Sequence, residues 1–306
     1  MSGAEKDPSR TSVLPDSSAR PAAQPAERLA QEGGIDPCSS ARLLVQATLA
    51  YRFSRPAEVL LLLEAARTQM QAVFQEQLII NPVADIARLD DSITGERRAV
   101  FVATGDVEVN YSAVVDLRPE PPELAGLPAP TIAELPSAAI NFLLPSRYCP
   151  SDRLQGFVAA TFQASSAGDR VLAILEWLQR NIEYSPGVSD AGTDAMETLA
   201  KRAGVCRDFT HLAIAFCRAA NIPARAVSVY AWRLDPPDMH AVTEVFLGGR
   251  WHLIDPTGRA PTQTMVRVAT GRDAGDIAFM TVFGEAELLA QTFAVTHLSA
   301  EGVPIR

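Results

Sequence analysis

One cysteine of this chain has the surroundings that nucleophilic chemistry requires. Cys206 follows Gly204 and precedes an apolar run that stops at Asn221-Ile222-Pro223, a combination typical of a helix end. The pattern predicts a helix over residues 206–220, with Cys206 in its first turn. A helix N-terminus carries partial positive charge and free N–H groups, which stabilise the reactive thiolate. Cys206 is therefore a candidate nucleophile for attack on a carbonyl carbon.

The remaining cysteines offer no such site. Cysteines occur at positions 38, 149, 206 and 217, and no two are spaced as Cys-x-x-Cys. This spacing favours neither a zinc ribbon nor a thioredoxin-type pair, so we expect no metal ion and no cofactor. Cys217 lies inside the predicted helix and is expected to be an inert core residue, which is the ordinary role of a single buried cysteine. Cys206 departs from that role only if it has partners.

A cysteine nucleophile needs a base, usually histidine, and the base needs an orienting acceptor such as Asp or Asn. The chain has four histidines. His211 lies five residues after Cys206 on the predicted helix and projects about 140° away from it. His297 has no acidic motif beside it and is expected to be a surface or sheet residue. Neither is predicted to be the base.

A predicted hairpin carries the other two histidines. Its strands, residues 240–247 and 250–254, are joined by Gly248-Gly249, and a two-residue glycine turn is favoured in hairpins. The turn fixes the register of the two strands, because it makes Leu247 oppose Arg250.

This register selects one histidine and one acid. Asp255 becomes diagonally adjacent to His240 on the same face, about 7–8 Å away between backbones, which two polar side chains can bridge. His252 points to the opposite face because side chains alternate along a strand. Taken alone, His240 is more often a satisfied strand histidine, and Asp255 before Pro256 is more often a residue that starts a turn. Combined with Cys206, they predict a catalytic triad.

Three further residues are candidates for positioning a substrate: Asp208, Tyr184 and Trp232. Asp208 also stabilises the first turn of the helix through its dipole, and this structural role comes first. Aromatic residues in predicted helices or strands are more often core residues, so that alternative stays open for Tyr184 and Trp232. The backbone N–H of Cys206 is the predicted oxyanion donor. The sequence identifies no second donor.

The first half of the chain is predicted to consist of a disordered lead and a β-rich domain. Residues 1–40 are rich in Pro, Ser, Ala and Gly and poor in aromatic residues. Residues 41–122 contain short apolar or alternating runs that predict strands of a β-sandwich. Gly105-Asp106 is predicted to be a hairpin turn, and residues 57–72 could equally form a helix. The predicted strands are residues 43–53, 59–63, 74–80, 99–103 and 107–117.

A proline-rich linker and an α+β domain follow. Eight prolines lie within residues 119–150, and we place the linker at residues 123–150. Residues 151–270 read as helices followed by antiparallel strands, and residues 271–306 as C-terminal strands and a tail. Predicted helices are residues 152–164, residues 169–184 after an Asp cap, a segment from Thr193 or Asp194 to about residue 203, and residues 206–220; predicted strands are residues 224–231, 240–247, 250–254, 277–283 and 288–298.

The composition and charge of the chain exclude some classes of partner and of protein. The chain has 306 residues, of which 47% are hydrophobic, a net charge of −9 and a pI near 5.0. Nucleic acid and anionic membrane surfaces require basic patches, so neither is expected as a partner. We find no apolar stretch of membrane-spanning length and no secretory signal. These features predict a cytoplasmic protein in a reducing compartment.

Four motifs follow one another along the second half of the chain: Gly-Val-Cys-Arg-Asp-Phe-Thr-His-Leu at 204–212, Asn-Ile-Pro-Ala-Arg at 221–225, Met-His-Ala-Val-Thr-Glu-Val at 239–245 and Trp-His-Leu-Ile-Asp-Pro-Thr at 251–257. In this order they resemble the core of the bacterial transglutaminase-like superfamily. The resemblance covers residues 42–299, since residues 51–56 resemble the start of the family's β-rich N-terminal domain and residues 271–277 its tail segment. Val242 stands where relatives commonly have an aromatic residue, and Met239 where many have a small polar one.

The resemblance implies a papain-like α+β fold, in which the cysteine helix packs on an antiparallel sheet that carries His and Asp on neighbouring strands. An all-β, sandwich-like domain would precede it. The implied reaction is acyl transfer from an amide of a peptide or protein substrate, through a thioester, to water or an amine. We expect hydrolysis to dominate because no amine-binding motif is visible. The alternative is a catalytically silent peptide-binding or structural module.

Overall fold

The computed structural model describes residues 40–118 and 123–305, so the predicted lead, with Cys38, lies outside the described residues except for Ser40. Within these ranges no helix has the length and hydropathy needed to cross a membrane. The strands are β1 (Ala41–Leu61), β2 (Gln71–Asn81), β3 (Ala87–Arg88), β4 (Ala99–Leu117), β5 (Glu183–Tyr184), β6 (Ala203–Gly204), β7 (Ala224–Ala231), β8 (Met239–Leu247), β9 (Arg250–Ile254), β10 (Met265–Gly271), β11 (Met280–Phe283) and β12 (Glu287–Leu298). The α-helices are α1 (Ser137–Ile140), α2 (Gln155–Thr161), α3 (Ala167–Asn181), α4 (Ala195–Lys201), α5 (Cys206–Ala219) and α6 (Ala274–Ile277).

Two antiparallel sheets, a short parallel pair of β5 and β6 and a helical layer make up the fold of the described residues, which confirms the α+β class. A six-stranded sheet has β1 and β4 at its centre, with β2 and β3 beside β4 and β11 and β12 beside β1. A four-stranded sheet has the order β10-β7-β8-β9, and α5 packs against β7 and β8. The cysteine helix therefore lies on the sheet that contains the predicted hairpin.

The β-rich domain has fewer and longer strands than predicted. Strands β1 and β4 each join two of the predicted runs, so Gly105-Asp106 is not a hairpin turn. Gly105 instead pairs with Phe53 inside the ladder, next to a register shift between Phe53 and Ala57. Its positive φ of 68° suits glycine, and the shift is a bulge that continues the strand. The alternative helix over residues 57–72 is also wrong, because β1 runs to Leu61.

The C-terminal strands complete the N-terminal sheet. Both β11 and β12 pair with β1; Arg42 opposes Leu298 at one end of the ladder and Leu61 opposes Met280 at the other. The first of these strands is shorter than the prediction of residues 277–283, since a short helix, α6, precedes it. The two ends of the described chain therefore meet in one sheet.

The helices before the cysteine follow the prediction with local corrections. Helix α3 is capped by Ser166, whose hydroxyl accepts from the backbone N–H of Asp169, so Asp169 lies inside the helix. The helix ends at Asn181, and Tyr184 belongs to β5 and not to a helix. The predicted helix at 152–164 is a 3-10 turn followed by α2, and α4 is capped by Asp194. Residues 123–150 contain only short helical segments.

Helix α5 is buried along nearly its whole length. Phe216 packs against Phe157 and Trp177 from α2 and α3, with ring centroids 5.4 and 5.5 Å away. Burying one such side chain contributes about 1.5–3 kcal/mol. The helix stops where predicted, because Asn221 adopts a left-handed conformation with φ of 60°. Packing along the length of α5 thus fixes the helix and the position of Cys206 at its start.

Candidate active site

Cys206 is the first residue of α5 and is partly exposed. Asp208 shapes the segment before it, since its Oδ2 accepts from the N–H of Val205 at 2.8 Å and from the hydroxyl of Ser189 at 2.5 Å. This is the reciprocal half of a capping box, because Val205 has no side-chain acceptor. A Cβ atom on Gly204 would lie 2.6 Å from the Cβ of Asp208. Asp208 therefore stabilises the start of α5, which is the structural role expected from the sequence. A contact between Asp208 and substrate stays a prediction.

The hairpin has the predicted register, with Leu247 opposite Arg250 and Val245 opposite His252. Asp255 follows the last residue of β9, and its Oδ2 lies 3.2 Å from Nε2 of His240. Both residues are buried. The structure therefore places His240, the predicted base, beside Asp255, the predicted acid. The two residues meet because the hairpin has the predicted register.

The carboxylate of Asp255 is held by several donors besides His240. Its Oδ1 accepts from the backbone N–H and the hydroxyl of Thr257, at 2.9 and 2.7 Å. Its Oδ2 also accepts from the backbone N–H groups of Arg259 and Ala260, at 3.1 and 3.2 Å. Asp255 thus starts a turn and orients a histidine at the same time, although the sequence presented these as alternatives.

Charge at this site favours a protonated imidazole. Burial by itself lowers the pKa of His240, but the charge and hydrogen bond of Asp255, followed by those of Cys206, outweigh it and raise the pKa to about 10. Burial by itself raises the pKa of Asp255, yet His240 and Thr257 hold that pKa below its ordinary value. Nδ1 of His240 is buried and has no aligned hydrogen-bond partner, which leaves it for Cys206 or a substrate. The ring therefore contacts Asp255 through Nε2, and Nδ1 is the ring nitrogen left to face Cys206.

Tyr184 lies beside Cys206. Strand β5 pairs with β6 in parallel, so that Tyr184 is opposite Gly204, two residues before Cys206. The guanidinium carbon of Arg259 lies 4.3 Å from the centroid of the tyrosine ring. The ring is partly buried and packs against the hydrophobic core, so a contact of Tyr184 with substrate stays a prediction.

Trp232 lies further along the sheet, just after β7. It lines a cavity of about 260 Å³ together with Asp238, which is two residues before His240. The side chain of Arg233 stacks on the indole at 4.3 Å, and the ring of His297 lies 5.0 Å away. The tryptophan is largely buried, so positioning of a substrate by Trp232 stays a prediction.

The other histidines have partners elsewhere. Nε2 of His211 accepts from the N–H of Ala274, and its ring stacks on Tyr148. Nε2 of His252 lies 3.1 Å from the carbonyl oxygen of Leu247. Burial is the largest cause that lowers the pKa of each, to about 4 for His211. Both are held away from Cys206.

Sequence reasoning missed Thr257, Arg259 and Ser189 as parts of the site. Thr257 had a local signal, since Asp-Pro-Thr is a turn sequence in which the threonine can return a hydrogen bond to the aspartate. Arg259 and Ser189 had none, because the side chain of Arg259 meets Tyr184, and the hydroxyl of Ser189 meets Asp208, only through tertiary folding. Within residues 40–118 and 123–305, no three His, Cys, Asp or Glu side chains are grouped to hold a metal ion.

The arrangement has the parts needed for acyl chemistry. A partly exposed thiol lies at a helix start, a buried histidine faces it, and an aspartate orients that histidine. Such a set can deliver a thiolate to a carbonyl carbon and a proton to the departing group.

Comparison with known proteins places this site in a family. Residues 157–256 match the model of the transglutaminase-like superfamily core, and residues 41–119 match that of the bacterial transglutaminase N-terminal domain. The crystal structure of a candidate cysteine protease from Cytophaga hutchinsonii is 34% identical, covers 88% of this chain and 94% of its own, and superposes with a TM-score of 0.80.

Uncharacterized mycobacterial proteins are more distant. One from Mycobacterium leprae is 27% identical over 188 residues, or 56% of this chain. One from Mycobacterium tuberculosis is 29% identical over 203 residues, or 55% of this chain. The matches span 66% and 62% of the length of these curated relatives. The two family matches and the extensive likeness to the Cytophaga protein show that the chain belongs to the transglutaminase-like superfamily.

Proposed function

We propose that the protein is a cysteine-dependent amide hydrolase that acts on a peptide or protein and uses Cys206, His240 and Asp255. The observation that carries the proposal is the 3.2 Å contact between Nε2 of His240 and Oδ2 of Asp255, with the opposite ring nitrogen toward Cys206. The similarity to a candidate cysteine protease supports the same class of reaction.

Acylation begins when Sγ of Cys206 attacks the amide carbonyl carbon and the carbonyl oxygen takes the negative charge. The backbone N–H of Cys206, at the start of α5, donates to that oxygen. The C–N bond then breaks, and the proton on Nδ1 of His240 passes to the departing nitrogen. A thioester on Cys206 and a free amine result.

Deacylation reverses these roles. Nδ1 of His240 takes a proton from water, the water oxygen attacks the thioester carbon, and the C–S bond breaks. The acid product leaves with the thiolate and imidazolium restored. Asp255 keeps the Nε2 proton directed at itself in both halves. We propose water as the main acceptor, since the sequence contains no recognisable amine-binding motif.

The proposal is tested by trapping. The full-length protein is incubated with a peptide library and quenched in acid, and Cys206 is searched by mass spectrometry for an acyl adduct. We expect adducts in wild type and none in Cys206→Ala. A millimolar primary amine is added in a second arm; predominant capture of the acyl group as an amide, with little free acid, would identify a crosslinking enzyme instead.

A catalytically silent binding module is distinguished by thiol reactivity. We expect iodoacetamide to alkylate Cys206 faster at neutral pH than a model thiol, and faster than in His240→Ala, because the imidazole stabilises the thiolate. The matched control is His252→Ala, which removes the other hairpin histidine and leaves the site intact. If wild type reacts no faster than the model thiol and His240→Ala, the enzyme proposal is wrong.

We also propose that the protein works in the cytoplasm. Cys149, Cys206 and Cys217 are all free thiols, which suits a reducing compartment. Cell fractionation checks this, and recovery of the protein outside the cytoplasmic fraction would contradict it.

A further inference from the structure

A second oxyanion donor, besides the backbone N–H of Cys206, must lie close to Cys206, and strand β5 brings Tyr184 there. Strands β5 and β6 form a short parallel pair held by two backbone bonds, from Glu183 N–H to the Arg202 carbonyl at 2.8 Å and from Ser185 N–H to the Gly204 carbonyl at 2.9 Å. Tyr184 lies between the two bonded residues, Glu183 and Ser185. The pairing therefore fixes the tyrosine beside the backbone that leads into α5.

The ring of Tyr184 is held from two sides. Its centroid lies 6.0 Å from that of Phe209, which is in the first turn of α5. The guanidinium of Arg259 covers the ring at 4.3 Å and also donates to the carbonyl of Asp235. The backbone N–H of Arg259 holds Asp255. One residue thus connects the triad acid to the tyrosine ring, which limits the positions that the ring can take.

Because Tyr184 lies opposite Gly204, its hydroxyl is close enough to Cys206 to interact with the thiol and with the backbone N–H. Burial is the largest of the causes that raise the pKa of Tyr184 to about 12; the charge of Cys206 adds to it, while Arg259 and the Cys206 N–H act in the opposite direction. The phenol therefore keeps its proton at neutral pH. Neither contact is an aligned hydrogen bond in the free protein, as is common for catalytic groups before substrate binds.

We infer that the Tyr184 hydroxyl is the second oxyanion donor, a role that rests on the proposed cysteine hydrolase. An oxygen bound to the N–H of Cys206 lies within reach of a hydroxyl that is close to the same N–H. During attack the carbonyl oxygen accepts from both groups, and the proton stays on the tyrosine. A preorganised donor of this kind lowers the barrier because it needs no reorientation as the charge develops.

The test compares Tyr184→Phe with wild type in two reactions of the same thiol. Acylation by a p-nitrophenyl ester develops an oxyanion, whereas alkylation by iodoacetamide does not. We expect Tyr184→Phe to slow acylation by about 100-fold and to leave the alkylation rate within about twofold. Tyr51→Phe is the matched control, because it removes the hydroxyl of another partly buried tyrosine, in β1; it should change neither rate.

The outcomes separate this inference from the proposed function. Equal acylation rates in wild type and Tyr184→Phe would overturn the inference alone, and parallel loss of both reactions would show that the hydroxyl acts on the thiolate. Absence of any acyl-enzyme in wild type would overturn both. The infrared carbonyl stretch of the trapped acyl-enzyme gives a second readout: it should lie at higher frequency in Tyr184→Phe, since a hydrogen bond to that oxygen is lost.

Discussion

Nε2 of His240 in β8 lies 3.2 Å from Oδ2 of Asp255, which follows the last residue of β9. The Gly248-Gly249 turn produces this contact, because it sets the register of β8 and β9. A shift of one residue would turn one of the two side chains to the opposite face. The electrostatics of the site therefore depend on the turn.

Asp255→Asn should reduce the acylation rate by about 10²- to 10⁴-fold. The aspartate is the main cause that raises the pKa of His240 to about 10, and without it burial lowers that pKa. The imidazolium needed for amine departure is then lost at lower pH. In a pH–rate profile, the alkaline limb should lie near pH 10 in wild type and move toward acid in the variant.

Asp116→Asn serves as the control for this profile, since it changes a carboxylate that bonds Arg42 in the six-stranded sheet. Its alkaline limb should match that of wild type. An unchanged limb in Asp255→Asn would show that Asp255 does not set the protonation of His240.

Alkylation of the native protein should modify one of the three described cysteines. Burial is the main cause that raises the pKa of Cys149 and of Cys217 to about 12, so both stay protonated and shielded. A Cys38→Ser background removes the cysteine outside the described residues. Mass spectrometry should then find one carbamidomethyl group, on Cys206. Labelling of Cys217 or Cys149 at a similar rate without denaturant would contradict this.

The stability of the protein should fall between pH 6.5 and pH 4 because of His211. Burial lowers the pKa of this histidine to about 4. The unfolded chain, with a pKa near its ordinary value, binds the proton first as pH falls, so acid favours unfolding. Between pH 6.5 and pH 4, the contribution of His211 to the free energy of unfolding should fall by about 3 kcal/mol. Urea unfolding at pH 7 and pH 4.5 measures it.

His211→Gln is the matched variant, because its amide oxygen can accept from the N–H of Ala274, as Nε2 of His211 does. It should lose less stability over the same pH interval. Equal losses in wild type and variant would exclude His211 as the cause.

Gly204→Ala should destabilise the protein by about 1–3 kcal/mol. Its Cβ would lie 2.6 Å from the Cβ of Asp208, which is buried and bonded to Val205 and Ser189. The displaced aspartate would release the segment before Cys206, so iodoacetamide labelling should slow as well. Gly156→Ala is the control: no atom lies within 4 Å of its added Cβ, and alanine is favoured over glycine in α2. Equal stabilities of the two variants would contradict the packing argument.

The local features of the site were predictable because their causes are local. The start and end of α5 follow from Cys206, Asn221 and the apolar residues between them. The register of β8 and β9 follows from a two-residue turn and a period of two. These two rules are sufficient to bring His240 and Asp255 to one face of the hairpin.

Errors arose where a local signal had a competing tertiary cause. Gly105-Asp106 reads as a turn, yet pairing along the whole of β1 keeps it inside β4 as part of an irregular ladder. Tyr184 continues the helical pattern of α3, yet pairing with Gly204 draws it into β5. In each case backbone bonds to a distant segment outweigh the preference of the sequence.

The sequence by itself determined the cysteine helix, the hairpin and the pair formed by His240 and Asp255, since neighbouring residues and a fixed turn suffice for them. Only the tertiary structure decided that β12 completes the sheet begun by β1 and that Arg259 covers Tyr184 beside Cys206. These contacts join residues far apart in the chain. Burial and strand pairing stabilise them, and no local sequence pattern predicts which distant segments will meet.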